Sequence, residues 1–81
     1  MNAAEFKQEM TRNRQSIIKI SEDDIVSVTQ GITSYHCQFV RLLEADSDAS
    51  ELLAEFRASS FTEIVAKARA TLKERKAKQL H

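Results

Sequence analysis

Between Ile25 and Leu42 the residues Ile25, Val28, Ile32, Tyr35, Phe39 and Leu42 recur in 3-4-3-4-3 steps, the period of one helix face. A second stripe of Val26, Thr29, Thr33, His36, Val40 and Leu43 runs beside it, and Ser27, Gln30, Ser34, Gln38 and Arg41 fill the remaining side. Three coherent stripes predict a helix from 22 to about 45. The preceding ISEDDI, residues 20–25, has the form of a helix start. Ser21 can cap, Asp24 stands three residues on, and Ile20 and Ile25 occupy the two staple positions. The acidic triplet would lie in the first turn, where the helix dipole favours negative charge. Glu22, Asp23 and Asp24 therefore read as a helix start and not as acid–base groups.

The flanking segments extend the pattern. Ala3, Phe6, Met10, Ile17 and Ile20 recur at near-heptad spacing, which predicts a helix over about 2–18. EADSDASE reads as a loop, and Asp48 followed by Glu51 would cap a short helix over about 49–57. Ala58 and Ser59 form a turn. Ser60 and Glu63 make a capping box that opens a helix over 61–78, with Phe61, Ile64, Val65, Ala68 and Leu72 on its apolar stripe. The expectation is a compact all-α bundle of about four helices. The alternative is an α+β fold with a three-stranded antiparallel meander at 16–41. IVSVT and ITSYHCQFV are rich in β-branched and aromatic residues, SIIKI can be a first strand, and Gln30–Gly31 can be a hairpin turn.

Composition sharpens this picture only in part. The chain has 81 residues, no proline and one glycine, so 1–81 is read as a single small domain without linkers. Cys37 is the only cysteine, which excludes a disulfide within the chain and fits a reducing compartment. The first twenty residues are polar and lack the apolar core of a leader. The charge-free run Ile25 to Val40 contains Ser, Thr, Gln and His and does not read as a membrane span. A cytoplasmic protein is expected.

The net charge is zero, but it is segregated. Residues 1–20 carry four basic against two acidic side chains, residues 21–56 one against eight, and residues 57–81 seven against two. The basic end suggests an anion-binding tip. LLAEFRASSFTEIV followed by Lys67, Arg69, Lys73, Arg75, Lys76 and Lys78 has the outline of a helix-turn-helix-like hairpin at 49–78, with those six residues as candidate phosphate contacts. The outline is incomplete. Arg57 and Ser59 fall where an apolar lock between the helices belongs, and the start of the second helix offers no Arg or Lys for a base edge.

Other chemistry finds no support. Asp46-Ser47-Asp48-Ala49-Ser50 opens like a calcium loop, but Glu51 stands where glycine is needed and Arg57 where a bidentate Glu is needed. His36 and Cys37 are adjacent, so on a helix their side chains diverge, and no further ligands complete a zinc site. One glycine cannot build a phosphate loop. No metal, cofactor or small-molecule substrate is inferred, and no nucleophile with a base within reach suggests an enzyme.

The lack of charge from Ile25 to Val40 is the most informative feature. A solvated face normally bears Lys and Glu, whereas charge depletion marks interface cores. Ser27, Gln30, Gly31, Ser34 and Gln38 are therefore the candidate partner interface on the central helix. The expected function is a small non-enzymatic protein-interaction module, an adaptor, regulator or assembly chaperone, that binds a partner or itself as a dimer. The alternative is a nucleic-acid-binding regulator that uses 49–78.

Overall fold

A computed structural model describes residues 1–43 and 50–79. Two helices and four strands follow in the order α1 (Ala3–Asn13), β1 (Gln15–Lys19), β2 (Asp24–Gln30), β3 (Tyr35–Leu42), β4 (Ser50–Ala58) and α2 (Phe61–Gln79). The strands form one antiparallel sheet in the order β1-β2-β3-β4. The fold is α+β, and the all-α helical bundle is overturned. The predicted helix 2–18 stops at Asn13 and continues as a strand. The predicted helix 22–45 is the β2–β3 hairpin, and the predicted helix 49–57 is β4. The helix-turn-helix-like hairpin at 49–78 goes with it, because its first half is a strand. The alternative meander at 16–41 covers the region of β1 to β3 and lacks β4. Expectations for 44–49, including the Asp48 cap, lie outside the described residues.

Each element end has a local cause. Asn2 caps α1 by accepting the Glu5 N–H at 2.9 Å. Arg14 ends it in the left-handed region at φ 58°, with its N–H donating to the Met10 carbonyl. That single residue reverses the chain into β1, and its own carbonyl accepts the Gln30 N–H at 3.0 Å. The Ser21–Asp24 pair predicted as a helix cap exists as turn chemistry. The Ser21 hydroxyl donates to Asp24 at 2.7 Å, and the Ile20 N–H donates to the Asp24 carbonyl across the β1–β2 turn. Ser and Asp side chains favour turns as well as helix starts, because both bond locally within a few residues; here the Ile20 and Ser21 N–H groups go to the Asp24 backbone carbonyl. In the β2–β3 turn the Gly31 N–H donates to the Ser34 carbonyl at 2.9 Å, and a Cβ on Gly31 would press into that carbonyl oxygen. Glycine is present there for close approach. At α2 the capping box forms: Ser60 Oγ accepts the Glu63 N–H at 3.1 Å, while the Glu63 carboxylate accepts both the N–H and the hydroxyl of Ser59. Those bonds, with the neighbouring Lys67, hold Glu63 below the usual carboxylate range.

Burial alternates strictly along β1 and along the first half of β2, so one sheet face is packed. Its core comprises Ile18, Val26, Val28, Cys37, Phe39 and Ala58 from the strands, with Phe6 and Met10 from α1 and Ile64 and Ala68 from α2. Phe6 ties the layers together. Its ring meets Tyr35 edge-on at 5.2 Å and stacks with Phe61 at 5.5 Å. An irregularity at Phe39/Val40 pairs Phe39 with Ala54 but Val40 with Leu52. Leu53 is the extra residue of a bulge that bends the sheet.

Candidate functional site

Both helices contribute to the core on one face, so the opposite face depends on what the strands alone present. Register places four rows there. Gln15, Thr29, His36 and Arg57 form one, and Ile17, Ser27, Gln38 and Glu55 the next. Lys19, Ile25, Val40 and Leu52 form the third, and Leu42 with Ser50 begins a fourth. Ile17 is 58% exposed, Leu52 55% and Leu42 39%. An apolar band thus crosses the sheet from Ile17 through Ile25 and Val40 to Leu52. On the two central strands the outward positions Ile25, Ser27, Thr29, Gln38 and Val40 carry no charge, and His36 beside them stands against Glu55. Lys19, Glu55 and Arg57 lie on the two outer strands. An apolar and neutral centre inside a charged rim is the anatomy of a protein interface.

The five residues expected at the interface are divided by this geometry. Ser27 and Gln38 are direct cross-strand partners on the open face. Gln30 ends β2 and donates to the Gly31 carbonyl. Gly31 and Ser34 close the turn and lie off the face. The central helix expected to carry all five is the central hairpin of the sheet. Gln38 donates to Glu55 at 3.2 Å, and His36 Nε2 stands 3.3 Å from the same carboxylate. The Gln38 bond first, then His36, holds Glu55 below the usual range. Missed in the sequence were Ile17, Ile25, Val40 and Leu52. The adjacent pair Ile17–Ile18 was the available signal, since a strand with two apolar neighbours must show one of them on each face.

The six basic candidates also separate. Lys67 is engaged: its ammonium lies 3.2 Å from Glu63, donates to the Arg57 carbonyl at 2.7 Å and sits 5.8 Å from the centre of the Phe56 ring. Arg75 donates to Glu51 at 3.3 Å, joining the acidic middle of the chain to its basic end. Arg69, Lys73 and Lys76 are exposed and follow i, i+4, i+7 spacing on one stripe of α2. Lys78 is exposed on another side of the helix.

Inside the protein, Asp24 is 5% exposed. It accepts from Arg41 at 2.8 and 3.3 Å and from Ser21. The Arg41 hydrogen bond holds its carboxyl below the usual range despite burial. Cys37 is fully buried, and burial pushes its thiol up to about 11. An unfolded thiol ionises near ~8.5, so native Cys37 should react with an aromatic disulfide reagent at pH 8 on the order of 100-fold slower than in denaturant. The sign for stability follows: the contribution is complete below pH ~8.5 and declines as pH rises toward the folded value. Equal rates in the two states would show that Cys37 is accessible.

Among the described residues, no three His, Cys, Asp or Glu side chains gather as a metal group. No described helix is long and apolar enough to cross a membrane. No protein-family model, curated protein or solved structure matches the chain.

Proposed function

We propose that this protein is a small non-enzymatic interaction module whose open sheet face binds a second copy of the chain. The observation that supports this is the neutral and apolar centre of that face, ringed by Lys19, Glu55 and Arg57. A two-fold axis parallel to the strands between β2 and β3 would set Ile25 against Val40 of the second copy and Lys19 against its Leu52, so no like charges meet in this row and the patch can pair with itself as an isologous interface must. Completing the burial of the half-exposed Ile17 and Leu52 is worth about 1 kcal/mol each, and of the less exposed Ile25 and Val40 at most that. Association costs at least about 4 kcal/mol in lost freedom. Counted over both copies, the anchors leave a surplus of at most about 4 kcal/mol, which supports weak reversible pairing on the order of millimolar strength, not a permanent assembly.

Sedimentation equilibrium tests this reading. The wild-type chain should reach the dimer mass as concentration rises, and Leu52→Lys should remain monomeric with an unchanged far-ultraviolet circular dichroism spectrum. A wild-type chain that is monomeric throughout defeats self-association. The nucleic-acid reading has lost its helical hairpin and retains the Arg69, Lys73 and Lys76 stripe. Titration of labelled duplex DNA at two salt concentrations separates it, because three neutralised phosphates would give a shallow salt slope of about −3 in log K against log salt.

A further inference from the structure

Among the described residues no strand pairs with the outer edge of β1, and that edge borders a cleft. The β1–β2 ladder has a fixed hydrogen-bond phase. Ile20 N–H donates to Asp24 and Gln30 N–H donates to Arg14, so the pairs 20/24 and 14/30 are hydrogen-bonded. Such pairs alternate with unbonded ones in an antiparallel ladder, which makes Ser16/Val28 and Ile18/Val26 bonded as well. The N–H and C=O groups of Gln15, Ile17 and Lys19 then point away from β2, and no described backbone group receives them. Proteins blunt such an edge with a short strand, lysine, proline, a bulge or a covering element. β1 is five residues long and carries Lys19 at its end, but it has no proline and its register is regular. At the opposite edge the Lys67 ammonium sits on the Arg57 carbonyl.

Beside the Ile17–Lys19 half of β1 lies a cleft of about 540 Å³ between the strand and the first half of α2. Met1, Ile18, Ile20, Phe61 and Val65 supply apolar lining, while Lys19 and Arg69 bring the charged side chains among its described lining residues. Neither cation is ion-paired with a described residue. The Gln15 end of the strand is bordered instead by Glu9 and Asn13 of α1.

From this we infer that the β1 edge accepts an extended peptide segment of a partner protein as a fifth strand. The segment carries apolar side chains at alternate positions and a carboxylate at its Lys19 end. Main-chain bonds to Ile17 and Lys19 supply the pairing, and the alternation sends every second side chain into the cleft, as strand addition requires. The two free cations select the acidic residue, and Glu9 disfavours one at the opposite end. This site does not depend on self-association through the open face.

The test uses a short fluorescein-labelled peptide that alternates valine with serine and carries one terminal glutamate, and a second with lysine in place of that glutamate. Anisotropy is measured on the full chain and, separately, on the Leu52→Lys chain, so that a failed dimer and a failed edge site give different results. The acidic peptide should bind about tenfold more tightly than the basic one. Arg69→Glu with Lys19→Glu should reverse that order while leaving the circular dichroism spectrum unchanged. In nitrogen–proton correlation spectra the Ile17 and Lys19 amides should shift and gain protection from exchange. Absence of saturable shifts at these amides with either peptide, or a preference unmoved by the double charge reversal, overturns the proposal.

Discussion

Phe39→Ala should lower the stability of the chain by about 3–5 kcal/mol, whereas Ile32→Ala should change it by less than about 0.5 kcal/mol. Phe39 is 0% exposed and lies in the inner row with Ile18, Val26 and Ala54 at the middle of the sheet. Removing a buried phenyl ring costs about 3–5 kcal/mol, because the cavity collapses only partly. A domain of this size has roughly 4–12 kcal/mol of stability, so the loss removes about a quarter of it or more. Ile32 is 103% exposed at the tip of the β2–β3 turn. Urea unfolding followed by circular dichroism measures both variants. The comparison also distinguishes the folds, since a helix over 22–45 places Ile32 and Phe39 on the same buried stripe. Equal large losses at both positions would contradict the sheet.

That stripe misled for a physical reason. It joins Ile25 and Leu42 on the open face, Val28, Tyr35 and Phe39 on the packed face, and Ile32 at the turn. A period of two is clear only when one face is apolar and the other polar. Here the open face carries Ile25 and Val40 next to the inward Val26 and Phe39, which blurs the alternation and leaves a false period near 3.6. The apolar content of the open face, which supports the proposed interface, is therefore what concealed the strands. The local residues were informative: β-branched and aromatic side chains dominate β2 and β3, and they favour a pleated surface.

β4 was concealed differently. Leu52, Leu53, Ala54 and Glu55 are good helix formers, and only pairing with β3 makes them a strand. Its bulge at Leu53 also breaks the alternation that would have revealed it. α2 was legible because its cap, stripe and propensity agree. Of the candidate interface, the charge-free run pointed to Ser27 and Gln38, but a helical projection also gathered the turn residues Gly31 and Ser34. The free β1 edge was not legible, because an edge is defined by the absence of a neighbour in space.

Arg41→Met should flatten the pH dependence of stability in the acid range. In the wild-type chain the folded Asp24 carboxyl lies below its ordinary range, with the Arg41 hydrogen bond as the largest cause. A depressed folded pKa contributes stability that is present above the unfolded value, near ~3.9. That contribution is lost as pH falls through the folded value. The wild-type melting temperature should therefore be flat from pH 7 to about 5 and decline below about 4. In Arg41→Met the largest lowering influence is gone while burial remains, with the Ser21 hydrogen bond and the Arg75 charge as the residual lowering influences. Burial disfavours the charged form, so the folded pKa moves back up toward the unfolded one and the loss of stability on acidification shrinks. The variant should melt on the order of 10 °C lower than wild type at pH 7, with the gap narrowing below about pH 4. Asp24→Leu combined with Arg41→Met removes the buried carboxylate together with its partner and should restore most of the stability. Thermal melts of the three chains across this pH range measure the effect. A variant whose melting temperature tracks the wild type at every pH would mean that the Asp24–Arg41 pair contributes nothing to the packed face.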